Sequence, residues 1–92
     1  MSAPAAVLAL PAQLGIGSAA ALRETLLAHL DAPRLTLEAA PVQQADTAAL
    51  QLLAAFLRER RHAGRETAWH EPSEALRRSA ALLGLAPHLL LS

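Results

Sequence analysis

The sequence predicts a small α/β domain, because short apolar runs alternate with segments whose leucines recur at helical spacing. A length of 92 residues is that of one domain, and a hydrophobic fraction of 53% is typical of a folded chain. Strands that are separated by helices favour parallel strand pairs with helices packed against them. We expect a single domain over residues 1–92, with its core at about residues 5–86.

The first third of the chain is predicted to hold two short strands and one helix. The apolar run Ala5–Leu10 is the first strand, and Ala12–Ile16 is a second short strand after a bend at Pro11. Ser18 is a good N-cap for the helix that follows, which stops near Asp31–Pro33. The leucines of this helix that recur at helical spacing, with one beside them, are Leu22, Leu26, Leu30 and Leu27.

The middle of the chain is predicted to be a strand at Arg34–Glu38 followed by a long helix from Asp46 to about His62. Gly64 ends this helix. The apolar face of the helix follows the i, i+3, i+4, i+7 pattern. Its members are Leu50, Leu53, Ala54 and Leu57.

The last third is predicted to be a brief strand, Glu66–His70, and a third helix that Ser73 caps and Gly84 ends. Leu76, Ala80 and Leu83 lie on one face of that helix. Pro87 interrupts the tail, in which Leu89–Leu91 is expected to pack on the core or to form an interface. Trp69, on the brief strand, is expected to pack under a helix.

A carboxylate and a hydroxyl, Asp46 and Thr47, stand together at the predicted start of the long helix. The first backbone N–H groups of a helix have no intrahelical partner, and the helix dipole favours negative charge there. This corner can therefore cap the helix, hold an anion or carry a phosphate on the hydroxyl.

Composition excludes several classes of function. The chain has 8 basic and 8 acidic residues, and this balance argues against a nucleic-acid binder, which normally carries a basic excess. A net charge of zero also lowers repulsion between copies, so a protein partner or a homodimer is reasonable. The chain has no cysteine, which excludes disulfides and thiolate metal sites. The histidines lack metal-ligand spacing, so we expect no metal; they are His29, His62, His70 and His88.

The sequence is expected to be cytoplasmic, without insertion into a membrane. Its N-terminus has no basic region of a signal peptide, and no stretch approaches the roughly 20 apolar residues that span a bilayer. We also find no Gly-x-Ser-x-Gly elbow, no phosphate-binding loop and no paired carboxylates, so no catalytic residue is predicted and the chain is not expected to be an enzyme.

Two further patterns have competing interpretations. Gly15 and Gly17 form part of a dinucleotide fingerprint, with Glu38 placed 21 residues after Gly17, but the third glycine is absent. A nucleotide-binding domain is therefore a remote alternative, and no cofactor is expected. The second pattern is a basic cluster that is either solvated at a helix C-terminus or a contact for an acidic partner or a phosphate. It consists of Arg58, Arg60, Arg61 and Arg65.

The stretch Leu37-Glu38 … Val42 … Ala45, followed by Asp46-Thr47-Ala48-Ala49-Leu50, resembles the signature of the STAS domain family. That family is named for sulfate transporters and anti-sigma factor antagonists. Its signature is an apolar strand ending in Asp-Leu-Ser, then Val, an apolar residue and Asp-Ser/Thr-Ser/Thr/Ala-Gly-Leu at a helix start. The opening Leu10–Ile16 and the closing Gly64–Leu85 segments resemble other parts of the family pattern, so the resemblance covers roughly Val7 to Leu85.

The chain departs from this pattern at three positions. Glu38 and Ala40 replace the usual Asp and Ser, and Ala49 replaces the usual Gly, which is expected to place a methyl group where partners approach. The family's phospho-acceptor is one of two adjacent hydroxyl positions after the Asp. Only the first has a hydroxyl here, at Thr47, because the second is Ala48.

The resemblance implies a small mixed sheet of about four strands with three to four helices, mainly on one side, and a bacterial, non-catalytic signalling module. Its partner would be an anti-sigma factor or a histidine-kinase-like protein, bound at the helix start and released when Thr47 is phosphorylated. A related subgroup, similar in its Asp-Thr-Ala-Gly-Leu motif, is a cytoplasmic subunit that docks on the ATPase of a phospholipid-trafficking ABC transporter, which is the first alternative. The predicted contacts are Asp46, Thr47, Ala48, Ala49 and Gln51.

Overall fold

The computed structural model describes residues 6–15 and 19–91. In these residues, strands and helices alternate, which confirms the predicted α/β class and the STAS-like fold. The strands are β1 (Ala6–Ala9), β2 (Gln13–Leu14), β3 (Arg34–Glu38), β4 (Gln44–Ala45) and β5 (Glu66–His70). The helices are α1 (Ala19–Ala28), α2 (Thr47–His62) and α3 (Glu74–Leu82).

The described strands form two small sheets in place of one sheet of about four strands. The larger has the order β1-β3-β5 and the smaller pairs β2 with β4, and every one of these described pairs is parallel. The bend at Pro11 takes the chain out of the larger sheet, so that Leu14 pairs with Ala45 instead. The β4 strand was not predicted, because two residues are too few to show a periodic pattern.

One face of the larger sheet is packed against the helices. Leu8, Leu35 and Leu37 point to this face and are buried with the apolar face of α2. The helix residues in the same core are Leu22, Leu26, Ala49, Leu50, Leu53, Phe56, Leu57, Leu76 and Ala80. Alternation along each strand turns the intervening residues to the other face, where Val7 is 56% exposed.

Most predicted boundaries of helices and strands agree with the structure. The bounds of β3 and β5 are those predicted, and α2 begins one residue after its cap, Asp46. The Ser73 hydroxyl accepts from the Leu76 N–H at 3.1 Å, so it caps α3 as predicted. Gly64 and Gly84 follow the second and third helices with φ of 75° and 69°, a conformation that glycine adopts without strain. The predicted cap at Ser18 lies outside the described residues.

One predicted helix end and one predicted core residue were wrong. The first helix ends at Ala28, before the predicted Asp31–Pro33, and residues 29–31 form a turn. Leu83 was predicted on the buried face of α3, but it is 43% exposed because it lies at the C-cap, beyond the last helical turn.

Arg60 differs most from what the sequence predicts. Its sequence neighbours place it in a basic cluster that is either solvated or a partner contact, but its side chain is fully buried. Its guanidinium donates to backbone carbonyls in the turn after α1 and at the start of β5, which explains why α1 ends early: these carbonyls turn towards the cation. The oxygens and distances are His29 O (3.1 Å), Leu30 O (3.1 Å), Ala32 O (2.7 Å), Glu66 O (2.6 Å) and Thr67 Oγ1 (2.6 Å).

The C-terminal tail belongs to the core. Leu89 and Leu91 are buried in the core cluster, so the core extends past the predicted limit near residue 86. Trp69 is half-buried against this cluster, and its indole N–H donates to the Leu89 carbonyl at 2.7 Å. One indole hydrogen bond therefore ties the tail to β5.

Candidate functional site

The start of α2 is built by its N-cap, Asp46. The backbone of Asp46 is extended (φ −92°, ψ 172°), and its Oδ1 accepts from the Ala49 N–H at 2.9 Å. The capping carboxylate satisfies one of the free donors of the helix and places negative charge at the positive end of the dipole. Asp46 is therefore a cap, as the sequence predicted: its Oδ1 is engaged by the helix and its Oδ2 is buried without a hydrogen-bond partner among the described residues, so the carboxylate presents little to a partner protein.

The small sheet fixes the position of this corner. The Asp46 N–H donates to the Leu14 carbonyl at 2.9 Å, directly after the pairing of Leu14 with Ala45. Gly15 consequently lies against the cap: a Cβ built there would be 3.9 Å from Asp46 Oδ2. The glycine segment and the Asp46 corner are separate features of the sequence, and the structure brings them together.

Three of the five predicted contacts are exposed. Thr47, Ala48 and Gln51 lie at the surface, on the first turns of α2, and Asp46 is half-buried. Ala49 is 1% exposed, so its prediction as a partner contact is wrong. It is the third residue after the cap, where the helix turns its side chain towards Leu53 in the core, and its methyl group does not reach the surface.

Two surface grooves flank this exposed part of α2, and Gln51 lines both. The groove towards α1 has a volume of about 470 Å³, and the groove towards the C-terminal tail has a volume of about 240 Å³. The first is lined by Ala19, Ala20, Arg23, Ala48, Gln51 and Leu52. The second is lined by Gln51, Ala54, Ala55, Arg58, Arg61, Leu85 and His88.

The structure divides the predicted basic cluster into two parts. Arg58 and Arg61 are exposed beside the second groove, whereas Arg60 lies inside the protein. Burial, with a smaller contribution from Arg65, lowers the pKa of Arg60 from its usual value, but a guanidinium stays protonated in proteins. The grooves could not be predicted from the sequence, because their walls come from segments far apart in the chain. One signal in the sequence marks the exposed face of α2: four of its residues follow one another at intervals of three or four positions. They are Ala48, Gln51, Ala55 and Arg58.

The nucleotide alternative finds no support in the fold. A dinucleotide fingerprint needs a strand that leads through the glycines directly into a helix. Here β2 intervenes between β1 and α1, and Gly15 lies beside the carboxylate of Asp46, whose charge would repel a phosphate. Gly17 lies outside the described residues. Glu38 is on the face of the sheet away from the core, and its Oε1 lies 3.6 Å from His70 Nδ1.

The described part of the chain holds neither a metal-binding cluster nor a membrane-spanning helix. No group of three or more His, Asp or Glu side chains in residues 6–15 and 19–91 is placed to hold a metal ion. Within the same residues, none of the helices has the length and apolar character needed to cross a bilayer.

Comparisons with known proteins agree with the fold. A family model described as "Mlab, STAS domain" matches residues 1–91, which is nearly the whole chain. A comparison with curated proteins gives no match. The family match, together with the capped start of α2 after a β-strand, identifies the chain. It belongs to the STAS domain family, whose members are in general regulatory and protein-interaction modules.

Proposed function

We propose that this chain is a non-catalytic, cytoplasmic protein-binding module that binds a signalling partner at the start of α2. The observation that carries the proposal is the arrangement of this corner: Asp46 fixes the helix start, while Thr47, Ala48 and Gln51 are exposed next to it. A rigid helix start that presents small and polar side chains is a surface on which a protein can dock closely. The partner is an anti-sigma factor or a histidine-kinase-like protein.

The two grooves extend this surface on both sides of the helix. We call the exposed pair Ala48 and Gln51 the ridge: Gln51 lines both grooves and Ala48 lines the one towards α1. A partner that covers the ridge also reaches Arg23 on one side and Arg58 on the other. Both cations are on exposed positions, which suits acidic side chains at the rim of the partner.

Phosphorylation of Thr47 is the proposed switch. Thr47 is the first residue after the cap, and its exposed hydroxyl is open to a kinase. A phosphate there adds about −1.5 to −2 charge, which the N-terminus of the helix tolerates. The fold should therefore survive phosphorylation, while an acidic partner surface is repelled by it.

The test compares Thr47→Glu with Thr25→Glu, a matched change at an exposed threonine on α1. The partner is first captured from native lysate with the wild-type chain and identified by mass spectrometry. The purified partner is then titrated against each variant. We expect Thr47→Glu to weaken binding at least tenfold without loss of helix content, and Thr25→Glu to bind as the wild type. Equal affinities for all three chains would remove the switch and leave Thr47 as a surface residue of the helix start.

A second candidate is docking on the ATPase of a phospholipid-trafficking transporter. Residues 46–50 match Asp-Thr-Ala-Gly-Leu, the motif of the transporter-associated subgroup, at four of five positions, and the second hydroxyl position of the switchable members is Ala48. The matching family description also carries the word Mlab. The same capture experiment separates the two candidates, since it recovers either a transporter ATPase or a signalling protein.

A further inference from the structure

The larger sheet has one face that no described helix covers. We call it the open sheet face; its exposed or half-exposed side chains are Val7, Ala9, Arg34, Thr36, Glu38, Glu66, Ala68 and His70. All strand pairs in this sheet are parallel, and parallel sheets occur almost only where both faces are covered. This face is therefore a candidate for an interface.

Small side chains occupy the middle of the open sheet face. Thr36 lies on the central strand, with Val7 beside it on β1 and Ala68 beside it on β5. Val7 is a large apolar residue inside β1, and it is 56% exposed on this face. A row without long side chains allows a second layer to approach to the roughly 10 Å that separates packed sheets.

At each end of the face a basic side chain lies beside an acidic one, and the basic residue is on β3 at one end and on β5 at the other. At one end Arg34 lies on β3 and Glu66 on β5, with Arg34 Nε and Glu66 Oε2 3.2 Å apart. At the other end Glu38 lies on β3 and His70 on β5, with Glu38 Oε1 and His70 Nδ1 3.6 Å apart. All four side chains remain between 46% and 76% exposed, so each is available to a second molecule.

We propose that the open sheet face binds a second copy of this chain about a two-fold axis that crosses the strands at Thr36. Reversal of the strand direction about this axis places Arg34 opposite Glu38 of the second copy. It also places Glu66 opposite His70 of the second copy, where an imidazole N–H faces a carboxylate. An axis along the strands would instead stack Arg34 on Arg34 and Glu38 on Glu38, which like charges disfavour. The two charged ends therefore specify one arrangement, with each face complementary to itself.

The size of the face determines how strong this dimer is. Three strands about 4.8 Å apart and five residues at about 3.3 Å each give a footprint of roughly 200 Å². Stable interfaces bury about 800 Å² per partner, so the dimer is expected to be weak and to form in a concentration-dependent way. The net charge of zero removes the long-range repulsion that would oppose it.

Exchanging charges within each end tests the arrangement. Arg34→Glu with Glu66→Arg keeps the ion pair inside one chain but sets like charges across the interface. Glu38→Arg with His70→Glu does the same at the other end. The chain with all four changes restores opposite charges across the interface. Sedimentation equilibrium over micromolar to millimolar concentrations measures each dissociation constant, with circular dichroism as the check on folding.

We expect each two-residue exchange to raise the dissociation constant at least tenfold, and the four-residue exchange to return it to within about threefold of the wild type. Leu82→Ser, a change at the most exposed large apolar side chain among those described, should leave the constant unchanged. A wild-type chain that stays monomeric at millimolar concentration would overturn the proposal. A dissociation constant that is the same for the wild type and both two-residue exchanges would also overturn it. So would a dimer that is lost in Leu82→Ser and in none of the exchanges.

Discussion

At the residue scale, one buried cation connects three parts of the fold. Arg60 joins the turn after α1, the end of α2 and the start of β5 through five donated hydrogen bonds. Its guanidinium also lies over the ring of Phe56, with Cζ 5.8 Å from the centroid. The sequence shows only an arginine-rich helix end, since three of the four carbonyls that Arg60 binds come from residues about thirty positions earlier.

Removal of this side chain should be costly. Arg60→Ala leaves four backbone carbonyls and the Thr67 hydroxyl without their donor, and unsatisfied buried groups cost about 1–3 kcal/mol each before relaxation and water entry reduce the sum. We expect a loss of about 3–5 kcal/mol in the free energy of unfolding, measured by urea denaturation. Arg60→Lys should recover only part of it, because an ammonium lacks the planar fork that reaches both groups of carbonyls.

The neighbouring arginine provides the control for this prediction. Arg61→Ala removes an exposed side chain of the same type from the next position, and we expect a change within about 0.5 kcal/mol. Similar losses for Arg60→Ala and Arg61→Ala would mean that Arg60 does not have the buried network described above.

At the element scale, α2 was the most predictable part of the chain. Its cap, its glycine stop and the spacing of Leu50, Leu53 and Leu57 all agree with the structure. The tertiary partners of the helix were less predictable: Ala49 faces the core because the helix start is set by the pairing of β2 with β4. A predicted strand, β2, and a two-residue strand that was not predicted, β4, thus hold the start of the helix that carries the site.

The core face of α2 should contribute strongly to stability. Leu53→Ala removes a side chain that is 0% exposed, and we expect a loss of about 2–4 kcal/mol in the free energy of unfolding. Leu82→Ala, at an 80% exposed position on α3, should cost less than about 0.5 kcal/mol. Both values come from chemical denaturation followed by circular dichroism. A loss under about 1 kcal/mol for Leu53→Ala would contradict the placement of this helix on the sheet.

At the scale of the whole molecule, the order of strands and helices predicted the class of fold but not its division into two sheets. Alternation of β3, α2 and β5 is visible in the apolar pattern, because each is long enough to show its period. The burial of Leu89 and Leu91, and the neighbouring positions of Gly15 and Asp46, depend on contacts between distant segments. The candidate site could therefore be predicted by its motif, while its grooves and its buried alanine required the fold.

A steric change at the ridge gives a sharp test of whether a partner docks on the start of α2. Ala48→Arg adds a long side chain at the exposed ridge, and Ala81→Arg adds the same side chain at an exposed position of α3. The affinity of the captured partner for both variants and the wild type is measured by isothermal titration calorimetry. We predict at least a tenfold loss for Ala48→Arg and no change for Ala81→Arg. Wild-type affinity in Ala48→Arg, or a loss confined to Ala81→Arg, would contradict docking at this corner.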